Sequence, residues 1–145
     1  VDGVWKYYHT TGVIEKTGTF KDGMAVGEWL YYTPQNVISE KRNFNSQGNW
    51  QGESTVYHEG LVHCVRTYKN NLLTKIIYYD KDGKVLSKAE NGNGNFSIKI
   101  YYASGQLNGE GAYKNGKLQG LWKYYYPEGT TLSEYTYVDG MVQGK

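Results

Sequence analysis

Apolar and polar residues alternate with a period of two in short runs along this chain, and each run is closed by residues that favour turns. The opening stretch shows the grammar: VWKYY, then TTG, then VIEKTGTF, then KDG, with MAVG leading onward. Such runs predict half-buried β-strands joined by tight connections, and no 3.6-residue periodicity competes with them. The tight turns are predicted at Asp22-Gly23, Gln47-Gly48, Asn70-Asn71, Asn115-Gly116 and Asp139-Gly140, whose residue types tolerate positive φ. Pro34 and Pro127 each lie just after a pair of tyrosines, where a strand is ending and no ladder donor is lost.

Aligned on their aromatic pairs, these runs form six repeats beginning at Gly3, Gly27, Gly52, Thr74, Ser97 and Gly120, with Gly144 opening a seventh. The spacings are 24, 25, 22, 23, 23 and 24 residues, which is the regime of repeat architectures. The expected fold is all-β, with residues 1–145 as one repeat domain of about six two-stranded hairpins. They would form an elongated antiparallel meander in a single twisted sheet, each hairpin advancing it by roughly 10 Å. Both ends fall in mid-pattern and the chain opens at Val1 without Met, which reads as a piece of a longer array or a chain cut after a leader. The fourth repeat runs into NGNGN at 91–95 and predicts a bulge, bend or loose loop.

Alternation also assigns faces. One face carries Trp5, Trp29, Ser54, Ile76, Lys99 and Trp122, beside Tyr7, Tyr31, Val56, Tyr78, Tyr101 and Tyr124. The other carries a tyrosine in every repeat: Tyr8, Tyr32, Tyr57, Tyr79, Tyr102 and Tyr125. On the second strands Phe20, Phe44, Tyr68, Tyr113 and Tyr137 form a further column, broken at Asn91. A feature present in every repeat is what the lattice itself requires, so the all-Tyr column is assigned to structure, and the linking glycines Gly27, Gly52 and Gly120 are assigned to it as well. The Trp column varies along the array, as a contact surface adapted to a partner would. Trp5, Tyr7, Trp29, Tyr31, Trp122 and Tyr124 are therefore the candidate binding residues, with Arg42 and Arg66 as rim charges.

Composition narrows the function. Sixteen Tyr and four Trp stand in for the aliphatic residues of an ordinary core. A net charge of +2, with Lys41-Arg42 the only adjacent basic pair, lacks the basic stripe that nucleic acid needs. Cys64 is the only cysteine, so no internal disulfide is available. A hairpin at YHEGLVHC could set His58 opposite His63, but His63 and Cys64 point to opposite faces and a structural zinc site wants four ligands. His9, His58 and His63 therefore read as strand-end residues, with no metal and no cofactor expected. The acids lie mostly in turns, so no catalytic residues are expected and the chain reads as non-enzymatic. NGNGN is followed by no helix that could bind phosphate, and Asn95-Phe96-Ser97 matches a glycosylation sequon by chance.

The linking glycines carry a resemblance. G-x-x-x-G recurs as GMAVG, GNWQG, GKLQG and GMVQG, and the stretch YKNGKLQGLWKYYYPEG resembles the MORN-repeat superfamily, specifically the bacterial variant found in YwqK-type antitoxin components. That resemblance implies an elongated antiparallel sheet used for binding or assembly, with no catalytic residues to carry over. It implies a protein partner, a toxin in the named members, neutralised by covering one of its surfaces. Two alternatives stand beside it: a carbohydrate or cell-envelope module whose Trp and Tyr stack on sugar rings, and an architectural or membrane-associated scaffold that self-associates through open edge strands. If the absent Met reflects a cleaved signal peptide, the compartment is extracytoplasmic.

Overall fold

The computed structural model describes residues 2–143, which form thirteen strands and no helix. Packing divides the chain into two compact units, Val1–Asn71 and Leu72–Lys145. The first holds β1 (Gly3–Tyr8), β2 (Ile14–Lys21), β3 (Met24–Tyr32), β4 (Ile38–Phe44), β5 (Gly52–His58) and β6 (Leu61–Lys69), each antiparallel to the strand before it. In the second, β7 (Leu72–Tyr79) pairs with β8 (Val85–Glu90). Hydrogen bonding between strands then stops and resumes with β9 (Phe96–Tyr101), β10 (Leu107–Lys114), β11 (Lys117–Tyr125), β12 (Thr131–Val138) and the short β13 (Met141–Val142). The all-β hairpin meander expected from alternation is what the chain forms, and the break falls in the irregular fourth repeat.

Two kinds of turn build the meander. Asp22-Gly23, Glu59-Gly60, Asn70-Asn71, Asn115-Gly116 and Asp139-Gly140 have positive φ at both residues, the type I′ geometry whose twist matches that of its flanking strands. Gln47-Gly48 is different, because it belongs to a wider loop in which the Asn45 amide donates to the Asn49 carbonyl at 2.8 Å. The first turns of most repeats are also wider. In these the His9 amide donates to Val13 O and the Tyr102 amide to Gln106 O, each with a left-handed Gly near the end.

Four of these type I′ turns are clamped onto the preceding repeat. The first turn amide donates to a side-chain oxygen placed just before the turn's own repeat begins: Asp22 N to Asp2 Oδ1 (2.7 Å), Asn70 N to Gln51 Oε1 (2.9 Å), Asn115 N to Asn95 Oδ1 (2.8 Å) and Asp139 N to Gln119 Oε1 (3.1 Å). The second amide donates to a backbone carbonyl: Asn71 to Trp50, Gly116 to Gly94 and Gly140 to Leu118, all at 2.9 Å. Turn donors that would otherwise depend on water thus bind neighbouring repeats together. NGNGN, expected as a bulge, bend or loose loop, is an ordered turn closed by the Gly94 amide on Asn91 O, and it accepts the clamp of the Asn115-Gly116 turn, with Gly94 packed so close to Gly116 that a Cβ would lie 2.5 Å from its nitrogen.

The core of each unit is an indole laid on a glycine. Opposite Gly18 the third strand spends three residues, Gly27 to Trp29, between the pairs Thr17↔Leu30 and Thr19↔Val26. Gly27 takes φ +69 in this bulge, and Trp29 is carried across the face of β2. A Cβ on Gly18 would sit 2.0 Å from the Trp29 ring. The second unit repeats the device with Gly120 (φ +76), Gly111 and Trp122, where the Cβ would lie 2.3 Å from the ring. Phe20 meets Trp29 edge-on at 5.0 Å, and Tyr113 meets Trp122 at 5.6 Å. In the third repeat the position facing this column on β4 is Arg42 rather than glycine, and Ser54 replaces the tryptophan. Trp50, from the link, fills the space between Phe44 and Tyr68 at 5.0 Å from each.

The fifth repeat sits one residue earlier than the aromatic alignment places it. Tyr101 pairs with Leu107 as Tyr8 pairs with Ile14 and Tyr125 with Thr131, so Tyr101 belongs to the all-Tyr column and Tyr102 is the first residue of the turn. Ile98, 6% exposed, takes the Trp position that alternation gave to Lys99, which is exposed. The reason is energetic: a buried slot accepts isoleucine, whereas an unpaired lysine ammonium there would lose its hydration. Replacing Gly18 by Ala should destabilise the protein by about 1–3 kcal/mol or more by forcing a methyl into the Trp29 ring. In a Trp29→Ser background the same substitution should cost close to nothing, and thermal melting of the four variants of this cycle measures the coupling.

Candidate functional site

The candidate contact residues divide sharply by burial. Trp29 and Trp122 are 4% and 1% exposed, Tyr78 and Ile76 in the same columns are also buried, and Trp5 is half-buried against Phe20. The expectation that the varying Trp column offers a contact surface does not fit Trp29 and Trp122. Large rings are the residues best able to fill the hollow above a glycine, and their variation follows what the opposing strand leaves open. The all-Tyr column assigned to structure is the more accessible one: Tyr8 is 58% exposed, and Tyr32, Tyr57, Tyr79 and Tyr125 are half-buried.

What remains accessible on the Trp side of the first unit is a row of alternating rings and charges. Tyr7, Lys16, Tyr31 and Glu40 stand directly opposite one another on β1 to β4, and Arg42 follows Glu40 on the same face. Lys16 Nζ lies 4.7 Å from the centre of the Tyr7 ring and 6.0 Å from that of Tyr31. The Arg42 guanidinium carbon lies 4.4 Å from the centre of Tyr31 and 5.3 Å from that of Trp50. These are cation–π separations, and they place Tyr31 between two positive charges, with Lys16 also against Tyr7 and Arg42 also against Trp50. Arg42 also pairs with Glu40 through two hydrogen bonds, Nε to Oε2 and Nη2 to Oε1, and this partner raises the guanidinium pKa above its usual value. The row contains Tyr7 and Tyr31 from the candidate set and Arg42 from the rim charges. Sequence reading did not single out Lys16, Glu40 or Trp50; strand alternation would have put Lys16 and Glu40 on this face, whereas Trp50 reaches it from the link outside the strands.

In the second unit the equivalent rings are tied up. Trp122 Nε1 donates to Ala112 O at 2.9 Å, and Tyr124 stacks on Trp122 at 6.0 Å while its hydroxyl meets that of Tyr137 at 3.1 Å. Burial first, and then that hydroxyl contact, raise the Tyr124 pKa well above the ordinary tyrosine value. On the other face Tyr125 Oη donates to Glu110 Oε2 at 2.6 Å, and this bond raises its pKa. Beside these residues lies an open groove of ≈ 810 Å³ at the break between β8 and β9.

The other candidates separate. The β5–β6 register sets His58 opposite Leu61 and Val56 opposite Cys64, so His58 and His63 do not face each other. His9 binds the Tyr32 carbonyl at 2.8 Å, a link between repeats. Among the described residues no group of three or more His, Cys, Asp or Glu is arranged to hold a metal ion, and no helix is long and apolar enough to cross a membrane.

The hairpins β1–β2, β9–β10 and β11–β12 invite comparison with known repeats. Residues 1–22, 98–115 and 118–139 match the family model described as the MORN repeat variant. Each MORN segment covers one such hairpin, and together they take in the first, fifth and sixth repeats. No curated protein matches the chain. A solved structure titled "Crystal structure of GtfA/B complex bound to UDP and GlcNAc" aligns at a TM-score of 0.40 and 13% identity, over 79% of this chain and 24% of that one. The chain thus spans about a quarter of that protein's length.

Two stability measurements test these assignments. Trp122→Phe should cost about 1 kcal/mol more than Trp29→Phe in denaturant titrations, because Trp122 loses an indole hydrogen bond whereas Trp29 Nε1 has no partner. Tyr124 stays neutral in the folded chain at a pH where it ionises in the unfolded one, so its contribution is intact below about pH 10 and is lost as pH rises above that. Tyr124→Phe should flatten the alkaline decline in stability; an unchanged slope would remove Tyr124 as its source.

Proposed function

We propose that this protein is a non-enzymatic interaction module whose partner is a protein, and that the ring-and-charge row Tyr7–Lys16–Tyr31–Arg42 on the first unit is the contact surface. MORN repeats commonly serve as protein or membrane interaction modules. The observation that carries the reading is the cation–π row itself. Half-accessible aromatic rings are fixed in place by Lys16 and Arg42, so their ordering cost is met before a partner arrives. Tyrosine and arginine are also the residues that dominate binding energy at protein interfaces. In the finer form of the proposal the partner is a toxin, neutralised when this surface covers a part of it that the toxin needs.

A photo-crosslinking amino acid placed at position 7 or 31 in the source cells should give one discrete protein adduct, identified by mass spectrometry. Against that purified partner, Tyr31→Ala and Arg42→Ala should each weaken binding by about 2 kcal/mol or more. Co-expression of the two proteins should relieve growth arrest if the partner is a toxin. Retention of the protein on cell-wall polysaccharide, with no protein adduct from either position, would replace this reading with the carbohydrate one.

A further inference from the structure

Four asparagines in the chain are followed by glycine: Asn91, Asn93, Asn108 and Asn115. Such a pair is chemically reactive, because glycine has no Cβ to keep its amide nitrogen away from the asparagine Cγ. Attack by that nitrogen requires an amide free of hydrogen bonds and room for a five-membered ring. Three of the pairs are held back by the fold. The Gly94 amide donates to Asn91 O and the Gly116 amide to Gly94 O, each at 2.9 Å. Gly109 is buried and paired on both sides, with Ile100 and Tyr124. Packing closes in as well: a Cβ would lie 2.5 Å from Gly116 N at Gly94, 2.9 Å from Lys123 O at Gly109 and 3.0 Å from Leu73 N at Gly116.

Asn91-Gly92 is the exception. Both residues are exposed, and nothing beyond the chain neighbours lies within 4 Å of where a Gly92 Cβ would be. The Gly92 amide makes no hydrogen bond among the described residues. The Asn91 side chain is also set for the reaction: its Oδ1 accepts the Asn93 amide at 3.3 Å, which folds it back along the turn and polarises its carbonyl. Asn45 makes the same turn, with Oδ1 accepting the Gln47 amide and its carbonyl accepting the Gly48 amide, both at 3.0 Å. There, however, Ser46 stands where Gly92 does.

We propose that Asn91 is a site of spontaneous covalent modification, converted through a cyclic imide with Gly92 to aspartate and isoaspartate, and that the isoaspartate loosens the clamp between the fourth and fifth repeats. A base removes the Gly92 amide proton, the nitrogen bonds to Asn91 Cγ, and the side-chain nitrogen leaves as ammonia. Water then opens the ring on either side of the shared nitrogen. Attack at Cγ gives aspartate and leaves the chain as it was. Attack at the backbone carbonyl carbon gives isoaspartate, in which the chain runs through Cβ and is one carbon longer, and the Asn91 carbonyl becomes part of a free carboxylate. That carbonyl accepts the Gly94 amide, and the turn it closes accepts Gly116 N at Gly94 O and Asn115 N at Asn95 Oδ1. No ladder between β8 and β9 compensates for its loss; the two strands are bridged by the Ser87 hydroxyl on Lys99 O at 2.6 Å. The proposal is independent of the contact surface proposed above, which lies in the first unit.

The test incubates the whole chain in mildly alkaline buffer and follows it by peptide mass spectrometry. Cleavage after lysine releases residues 89–99, which carry Asn91 and Asn93 on one peptide. Fragmentation should place a gain of about 1 Da at Asn91, in two chromatographic forms for aspartate and isoaspartate. Asn93, Asn108 and Asn115 should convert at least about tenfold more slowly, because each must wait for local opening. In urea, where the turns are lost, the four rates should converge. Gly92→Ala places its Cβ in open space at an unstrained φ, so it should melt like the parent and convert about tenfold more slowly. The purified isoaspartate form should melt below both the parent and Asn91→Asp, which keeps the side-chain acceptor and the normal chain. Absence of conversion at Asn91, equally fast conversion at any of the other three pairs in the folded chain, or rates in urea as unequal as in buffer would each overturn the proposal. So would an unslowed Gly92→Ala, or an isoaspartate form that melts with Asn91→Asp.

Discussion

The structure depends on a contact between an indole and a bare backbone. Gly18 and Gly111 leave a hollow on one strand, and Trp29 and Trp122 from the next strand lie in it at a distance no side chain would permit. Two further features make that contact possible. The bulge glycines Gly27 and Gly120 supply the extra residues that carry each tryptophan across, and Phe20 and Tyr113 close over the rings edge-on. Dispersion and apolar burial concentrated in one large ring thereby replace the many aliphatic contacts of an ordinary core.

The same constraint explains why the array is irregular where it is. Once Arg42 stands in place of a glycine, no indole can lie flat on the fourth strand, and the third repeat carries Ser54 instead. The lost volume returns from another direction, because Trp50 reaches in from the link to pack between Phe44 and Tyr68. Arg42, no longer beneath a ring, is free to lie over Tyr31 and pair with Glu40. A local exchange of packing partners thus turns part of the core face into a charged, half-accessible row. The site considered for binding exists because one repeat breaks the rule that the first and fifth obey.

Polar satisfaction does a comparable job at the turns. Four of the type I′ turns present amides that their own hairpins cannot use, and an Asp, Asn or Gln at the end of the preceding repeat or link accepts one of them. Where the ladder stops, between β8 and β9, the Asn91–Asn95 turn still makes this connection to Asn115 and Gly116, and Ser87 bridges to Lys99. The repeat therefore survives an interruption of its sheet.

Alternation, turn residues and the spacing of glycines determined the all-β hairpin meander, the place of nearly every strand and the odd character of the fourth repeat, because these follow from interactions within a few residues of chain. The MORN resemblance stated from GKLQG and its neighbours agrees with the matched segments for the same reason. Which face is covered was not legible, since period two separates the faces without saying which one is buried. That decision came from Gly18 and Gly111, which lie on the strand before the rings they admit and meet them only once the two strands are paired. The one-residue setting of the fifth repeat was also decided in three dimensions, where a buried slot took Ile98 and left Lys99 outside. Sequence fixes what a strand can pair with; only the packed sheet fixes which side chains lose their water.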